Sequence, residues 1–342
     1  MTLPPSSGKP DADQLLQETM EIKDPFGVKT LVIHPEDFEG DSPEAVREKL
    51  RAITNKFFAD VTSGDAKGQE ELSKIFDSKR FDYVRDMTVK SARDKNYSDA
   101  HNASLDDSAG HHCSIIVAPR LNIPFAKAAH DLTGVSEQAL ASLPVSSNED
   151  RLLTYWHEFA HGTGAGEPQA DKMSAIIYRQ SFSDTQQLKI RADMRALDAV
   201  FTHDRFMDPD RKWARCEIYG WAPVEAIDSV IDMPESEIKN MDENAIRSFS
   251  SEKFDKKVTA LHSVGNILYQ KIPEAMKQRN LPDIAREVRT LMVKGEFGSQ
   301  GSDTYHVASR FLVALDRTNA AGLDVASERT RKKTASPVPA VM

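Results

Sequence analysis

The run Tyr155-Trp156-His157-Glu158-Phe159-Ala160-His161 sets two imidazoles four residues apart, with a carboxylate directly after the first. On a helix, positions i and i+4 point the same way, so His157 and His161 can share one metal ion while Glu158 faces a water beside it. The chemistry this implies is hydrolysis by a water that a metal acidifies and a carboxylate deprotonates. In a chain with ten His, the bare pattern arises by chance in roughly one or two of a hundred sequences of this size. Its neighbourhood therefore has to support it.

The flanking residues predict the elements that would position these groups. Ser146 with Glu149 three residues later forms a capping-box pattern just after Pro144, which predicts a helix starting near 148 and carrying the motif. Leu153, Trp156 and Ala160 put an apolar stripe on or beside the His face, so the imidazoles are expected at the floor of a cleft. Gly162, Gly164 and Gly166 stop this helix at once, and Pro168 suits the opening of a second helix over 168–179. Glu167 stands at the reversal. It can fold back as a third metal ligand, or it can be a carboxylate favoured there by the helix dipole alone. Asp171 shares its helical face and is placed either to orient a His ring nitrogen or Glu167, or as an exposed helix carboxylate.

On these residues the chain resembles the zincin metallopeptidases. The resemblance implies His157 and His161 as zinc ligands and Glu158 as the base on water. Glu167-Pro168-Gln169-Ala170-Asp171 is similar to the E-x-x-A-D that supplies the third ligand in several gluzincins, while the short gap is similar to the metzincin spacing, with Gly164 in its glycine slot and Glu167 in its third-ligand slot. The subgroup stays open. If Glu167 only begins its helix, Asp171, His203 or His306 is next in line as ligand. The resemblance spans about 25 of 342 residues, so it concerns the site and not the rest of the chain.

A hydrolase of this kind also needs a donor for the developing oxyanion. Zincins commonly use a Tyr or His brought in from elsewhere, which makes Tyr305 and His306 the candidates here, after the glycine-rich loop 295–303, with Tyr219 and Tyr178 as rivals. His111-His112 precede the apolar run 113–118, the best strand ahead of the motif. Zincins have a strand edge bordering the cleft at that point; a polar loop entering a buried strand is the plainer account.

Composition bounds the rest. With 342 residues, 39% hydrophobic, a net charge of −9 and basic residues scattered along helices, the chain can bury a large core and shows no footprint for nucleic acid. Two Cys are too few for a disulfide framework. No segment has the length of a membrane span, and the N-terminus lacks the apolar core of a Sec signal. A cytoplasmic protein as synthesised is expected, with non-Sec export left open. Residues 1–14 and 325–342 read as disordered tails. Between them we expect strands over 28–34 and 113–118. Helices are expected from 43 and over 67–79, 124–132, 136–143, 184–202, 222–231, 243–278, 282–293 and 304–317. The fold class is α+β, predominantly helical: a zincin-like catalytic region over 15–205 and a helical C-terminal region over 206–324. The expected function is zinc-dependent hydrolysis of a protein or peptide substrate. The alternatives are hydrolysis of a non-peptide amide or ester, and a catalytically inactive helical interaction protein. No motif addresses the oligomeric state.

Overall fold

In a computed structural model, the described residues are 11–20, 24–202, 220–250 and 257–334. His203, Cys216 and Tyr219 lie outside them. The chain divides into two compact units that interleave in sequence. The first comprises 1–124, 146–188 and 225–254, the second 125–145, 189–224 and 255–342. The expected single boundary near 205 is thus replaced by several crossings between units.

The first unit is built on a three-stranded sheet ordered β1-β3-β2, with β1 (Lys29–Ile33), β2 (His101–Asp106) and β3 (His112–Val117). β3 pairs parallel with β1 and antiparallel with β2. As the central strand it reads as a near-continuous apolar run, His-Cys-Ser-Ile-Ile-Val, buried from Cys113 onward. β2 was not expected from sequence, and its composition says why. His-Asn-Ala-Ser-Leu-Asp holds two apolar residues, Ala103 and Leu105, which alternate inward while Asn102 and Ser104 take the opposite face.

One side of the sheet is covered by α1 (Pro43–Val61), α2 (Ala66–Phe76) and α3 (Asp82–Arg93). α1 starts on Ser42, whose hydroxyl accepts from Ala45 N–H, with Pro43 in the first turn. It buries Val46, Leu50, Thr54, Phe58 and Val61 at helical spacing. Phe58, Phe76 and Phe81 form the aromatic centre of this core against Ile115 and Val117. α3 is a second element that the apolar pattern did not expose, because its inward face is Val84, Thr88, Val89, Ser91 and Ala92, three of the five small or hydroxylated.

The other side carries the motif helix α4 (Ser147–Gly162) and its successor α5 (Glu167–Ser181), the most extensively packed helix pair of the unit. α5 is held from behind by the 225–254 segment. Arg179 donates to the carbonyls of Val230 and Met233, each at 2.8 Å. Gln180 donates to Ile238 and Met241, and the buried Lys172 ammonium lies 3.4 Å from the Phe249 ring centroid. A segment far along the sequence therefore completes the unit that carries the motif helix.

The second unit is helical. Phe125–Thr133, Val258–Lys271, Leu281–Val293 and Asp303–Thr334 are its main helices, around a core that includes Phe201, Val264, Leu268, Ile284, Val288, Phe311 and Leu315. The buried Asp193 is gripped by Arg310 at 2.7 Å and by Arg317, which lets a charge sit there with both oxygens matched. Of the stretch expected as one helix over 243–278, the described residues form Glu243–Ser250, Val258–Lys271 and Pro273–Gln278, and the helix is interrupted where Pro273 lacks the N–H that a continuing helix needs. The final helix continues to Thr334, ten residues into the expected C-terminal tail, and a helix over Ala12–Met20 overlaps the expected N-terminal one. Predominantly helical α+β describes the result.

Candidate metal centre

α4 begins as its cap pattern requires, with the Ser146 hydroxyl accepting from Glu149 N–H at 3.3 Å. It ends at Gly162. Thr163 N–H returns to the Ala160 carbonyl, and Gly164 N–H returns to the His161 carbonyl at a φ of +84°, a conformation glycine adopts without strain. The reversal over 163–166 places Glu167 as the first residue of α5. There it stands at the positive end of its own helix and turns toward the two imidazoles.

There the side chains converge. His157 Nε2 lies 3.1 Å from His161 Nε2, with the rings nearly perpendicular. Glu167 Oε2 is 3.2 Å from His157 Nε2, and Oε1 is 3.4 Å from His161 Nε2. A tetrahedral ion with bonds of about 2.0–2.1 Å holds its ligand atoms about 3.3 Å apart, and the three separations sit around that value. Among the described residues this is the one group of three or more such side chains with ligand spacing.

Of the two ring nitrogens facing away from this point, that of His161 is braced. His161 Nδ1 donates to the Ala165 carbonyl at 2.8 Å. A carbonyl only accepts, so the neutral ring carries its hydrogen on Nδ1 and directs the Nε2 lone pair at the convergence point. His157 Nδ1 lies 3.0 Å from Asp171 Oδ1, close enough to pair but off the line of a hydrogen bond. Asp171 is fully buried and stands behind His157, so of its two expected roles the orienting one is where its position puts it.

The electrostatics follow from this packing. Burial works against charge on Glu167, but the two imidazoles facing it hold its carboxyl far below the usual range. Burial likewise opposes charge on His161, yet the Glu167 and Glu158 carboxylates outweigh it and lift the imidazole to about 9.

α4 packs across β2 and β3, and the run 113–118 to which the sequence pointed is β3. That run is the central strand and presents no free edge. β2 also brings residues that sequence reasoning missed. His101 bonds Tyr97 Oη through Nε2 at 2.5 Å. Its imidazole is held below its ordinary value first by burial, with the Glu158 charge pulling the other way. Tyr83 donates to the Asn102 carbonyl at 2.6 Å, and burial, then Glu158, raises its phenol. Both residues therefore sit within the field of Glu158. Apolar periodicity gave no signal for them; only the two closely spaced polar-aromatic positions Tyr97 and His101 hint at a site.

Tyr305 and His306 belong to the helix Asp303–Thr334 of the second unit, where Ser302 Oγ caps Tyr305 N–H. Tyr178 is fully buried with its hydroxyl on Glu149, which takes it away from any cleft. His111 pairs with the buried Asp107 at 2.7 Å, and His112 bridges Asp106 and the Gly162 carbonyl. Both serve the fold. They line a recess of about 400 Å³ with Lys29 and Arg247, whose charges are matched by Asp60 and Glu243. The recess is therefore electrically balanced.

Among protein families, curated proteins and solved structures, none matches this chain.

Proposed function

We propose that this chain is a zinc-dependent hydrolase of the zincin type, acting on peptide bonds of a protein or peptide. The observation that carries the reading is the convergence of His157 Nε2, His161 Nε2 and the Glu167 carboxylate at ligand spacing, with an acceptor behind each imidazole. Two nitrogens and a carboxylate suit zinc, and three protein ligands leave a fourth position for water, the arrangement of catalytic rather than structural sites. A bound zinc ion would supply Lewis acidity and lower the pKa of that water.

Glu158 follows the first ligand on the same helix and is only 8% exposed. Its carboxylate takes the proton from the attacking water and passes it to the departing amine, two transfers that one positioned carboxylate can serve. The developing oxyanion needs a donor, and His101, which feels the Glu158 charge, joins Tyr305 and His306 as a candidate for that role. Glu167, kept ionised by its two imidazole neighbours, remains a charged ligand across the physiological pH range.

The test has two parts. Protein purified without chelator is analysed for metal, with one zinc per chain expected. It is then assayed on a panel of unstructured proteins, peptides and small amides and esters. Cleavage confined to small amides or esters would redirect the proposal to a non-peptide hydrolase. A chain that holds no zinc and takes none up on titration would end it, leaving a helical interaction protein.

A further inference from the structure

The last turn of the motif helix is gripped by the sheet through side chains. Asn102 Nδ2 donates to the Glu158 carbonyl at 2.9 Å and lies 2.6 Å from Ser114 Oγ on β3. Ser104 Oγ is 3.0 Å from the His161 carbonyl and 3.1 Å from Asn102 Oδ1, so its single hydrogen serves one of the two at a time. His112 Nε2 donates to the Gly162 carbonyl. Gly162 packs so closely on β3 that a Cβ there would meet Ser114 Cβ at 3.1 Å.

Two of these carbonyls, at His161 and Gly162, belong to the four that every helix C-terminus leaves without an intrahelical partner, and such groups must be satisfied when buried. The third is different. The Glu158 carbonyl lies inside the helix, where the backbone already supplies a donor, so the Asn102 bond is not needed to satisfy it. Its effect is geometric. It fixes the rotation and height of α4 on the sheet at the residue that lies between both imidazole ligands and carries the proposed base. The Asn102 amide can be oriented only one way, since the Glu158 carbonyl accepts and cannot donate.

We propose that Asn102 is a positioning residue of the metal centre: by holding the Glu158 backbone against the sheet, its amide sets the separation of His157, His161 and Glu167. This rests on the zinc reading above, but its test also has a readout that needs no metal. In Asn102→Leu, the shape is kept and the donor removed. At unchanged circular dichroism, zinc should bind about tenfold more weakly, on the order of the loss typical of groups that orient ligands. The visible spectrum of the cobalt-substituted protein should shift. In the metal-free protein, amide exchange at 159–163 should speed up at least tenfold, with the first turns of α4 unchanged. Ser114→Ala removes the amide's other partner and leaves the Glu158 bond, so it should leave all three readouts at wild type. If Asn102→Leu does not fold, Asn102→Asp, isosteric and without the donor, replaces it with the same expectations.

A folded variant with wild-type zinc affinity, cobalt spectrum and exchange overturns the proposal. If the wild type itself takes up no zinc, the functional reading fails, and the exchange measurement alone decides the role of Asn102. Accelerated exchange at 159–163 then supports the clamp, and unchanged exchange overturns it.

Discussion

Binding of zinc should be linked to release of a proton from His161. In the metal-free protein, burial favours the neutral ring, but the nearby Glu167 and Glu158 carboxylates raise its pKa from 6.5 to about 9. A zinc ion needs the Nε2 lone pair, so at pH 7 it must first displace that proton. With the pKa about two units above the solution pH, the displacement costs about 3 kcal/mol, a factor of about 100 in affinity. Zinc affinity should therefore rise about tenfold per pH unit from 7 to 9 and level off above. The sign for stability is opposite. A pKa raised on folding stabilises the metal-free fold by up to about 3 kcal/mol below pH 6.5, and this is lost as the pH rises through 9. The side chain is 18% exposed, so solvent screening takes little from the figure. Titration calorimetry in buffers of different ionisation enthalpy should show about one proton released by His161 per zinc at pH 7. The His161 ring signal in metal-free protein should titrate near 9 by NMR. An affinity that is flat between pH 7 and 9, or a ring that titrates below 7, would refute the electrostatics assigned to this site.

Glu158→Gln should keep one zinc by elemental analysis and lose at least a hundredfold in cleavage rate, because an amide cannot accept the water's proton; near-wild-type turnover would remove Glu158 from the chemistry. Glu167→Ala should weaken zinc binding by roughly tenfold or more in competition with a chromogenic chelator, and His157→Ala or His161→Ala should abolish it. An unchanged constant for Glu167→Ala would mean that its carboxylate only begins α5. Gly162→Ala should cost about 1–3 kcal/mol in denaturant unfolding, because its Cβ must displace Ser114, whose Cβ would lie 3.1 Å away. Adding Ser114→Gly should recover part of that loss, and an additive double mutant would contradict the contact.

What the sequence by itself determined is local. The register of His157, Glu158 and His161, the Ser146 cap, the glycine stop after His161 and the opening of α5 within a residue of Pro168 all depend on residues within a few positions of one another. Helical periodicity and capping are read over that range. The pairing of β1 with β3 was half legible, since both strands are apolar runs whose burial their composition announces. β2 was not legible, because two inward apolar residues in six do not make a pattern, and Asn102 and Ser104 look like ordinary polar strand positions until α4 lies across them.

Tertiary structure decided everything that joins distant positions. Asn102 reaches the Glu158 carbonyl across 56 residues of chain, and Arg179 reaches the Val230 carbonyl across 51. His101 and Tyr83 gain a relation to Glu158 only through the antiparallel return of β2 along the sheet. The helical C-terminal region expected over 206–324 instead lends residues 225–254 to the unit that holds the motif. Spacing within a helix fixes which side chains share a face, whereas which strand and which later helix meet that face depends on how the whole unit buries its apolar surface.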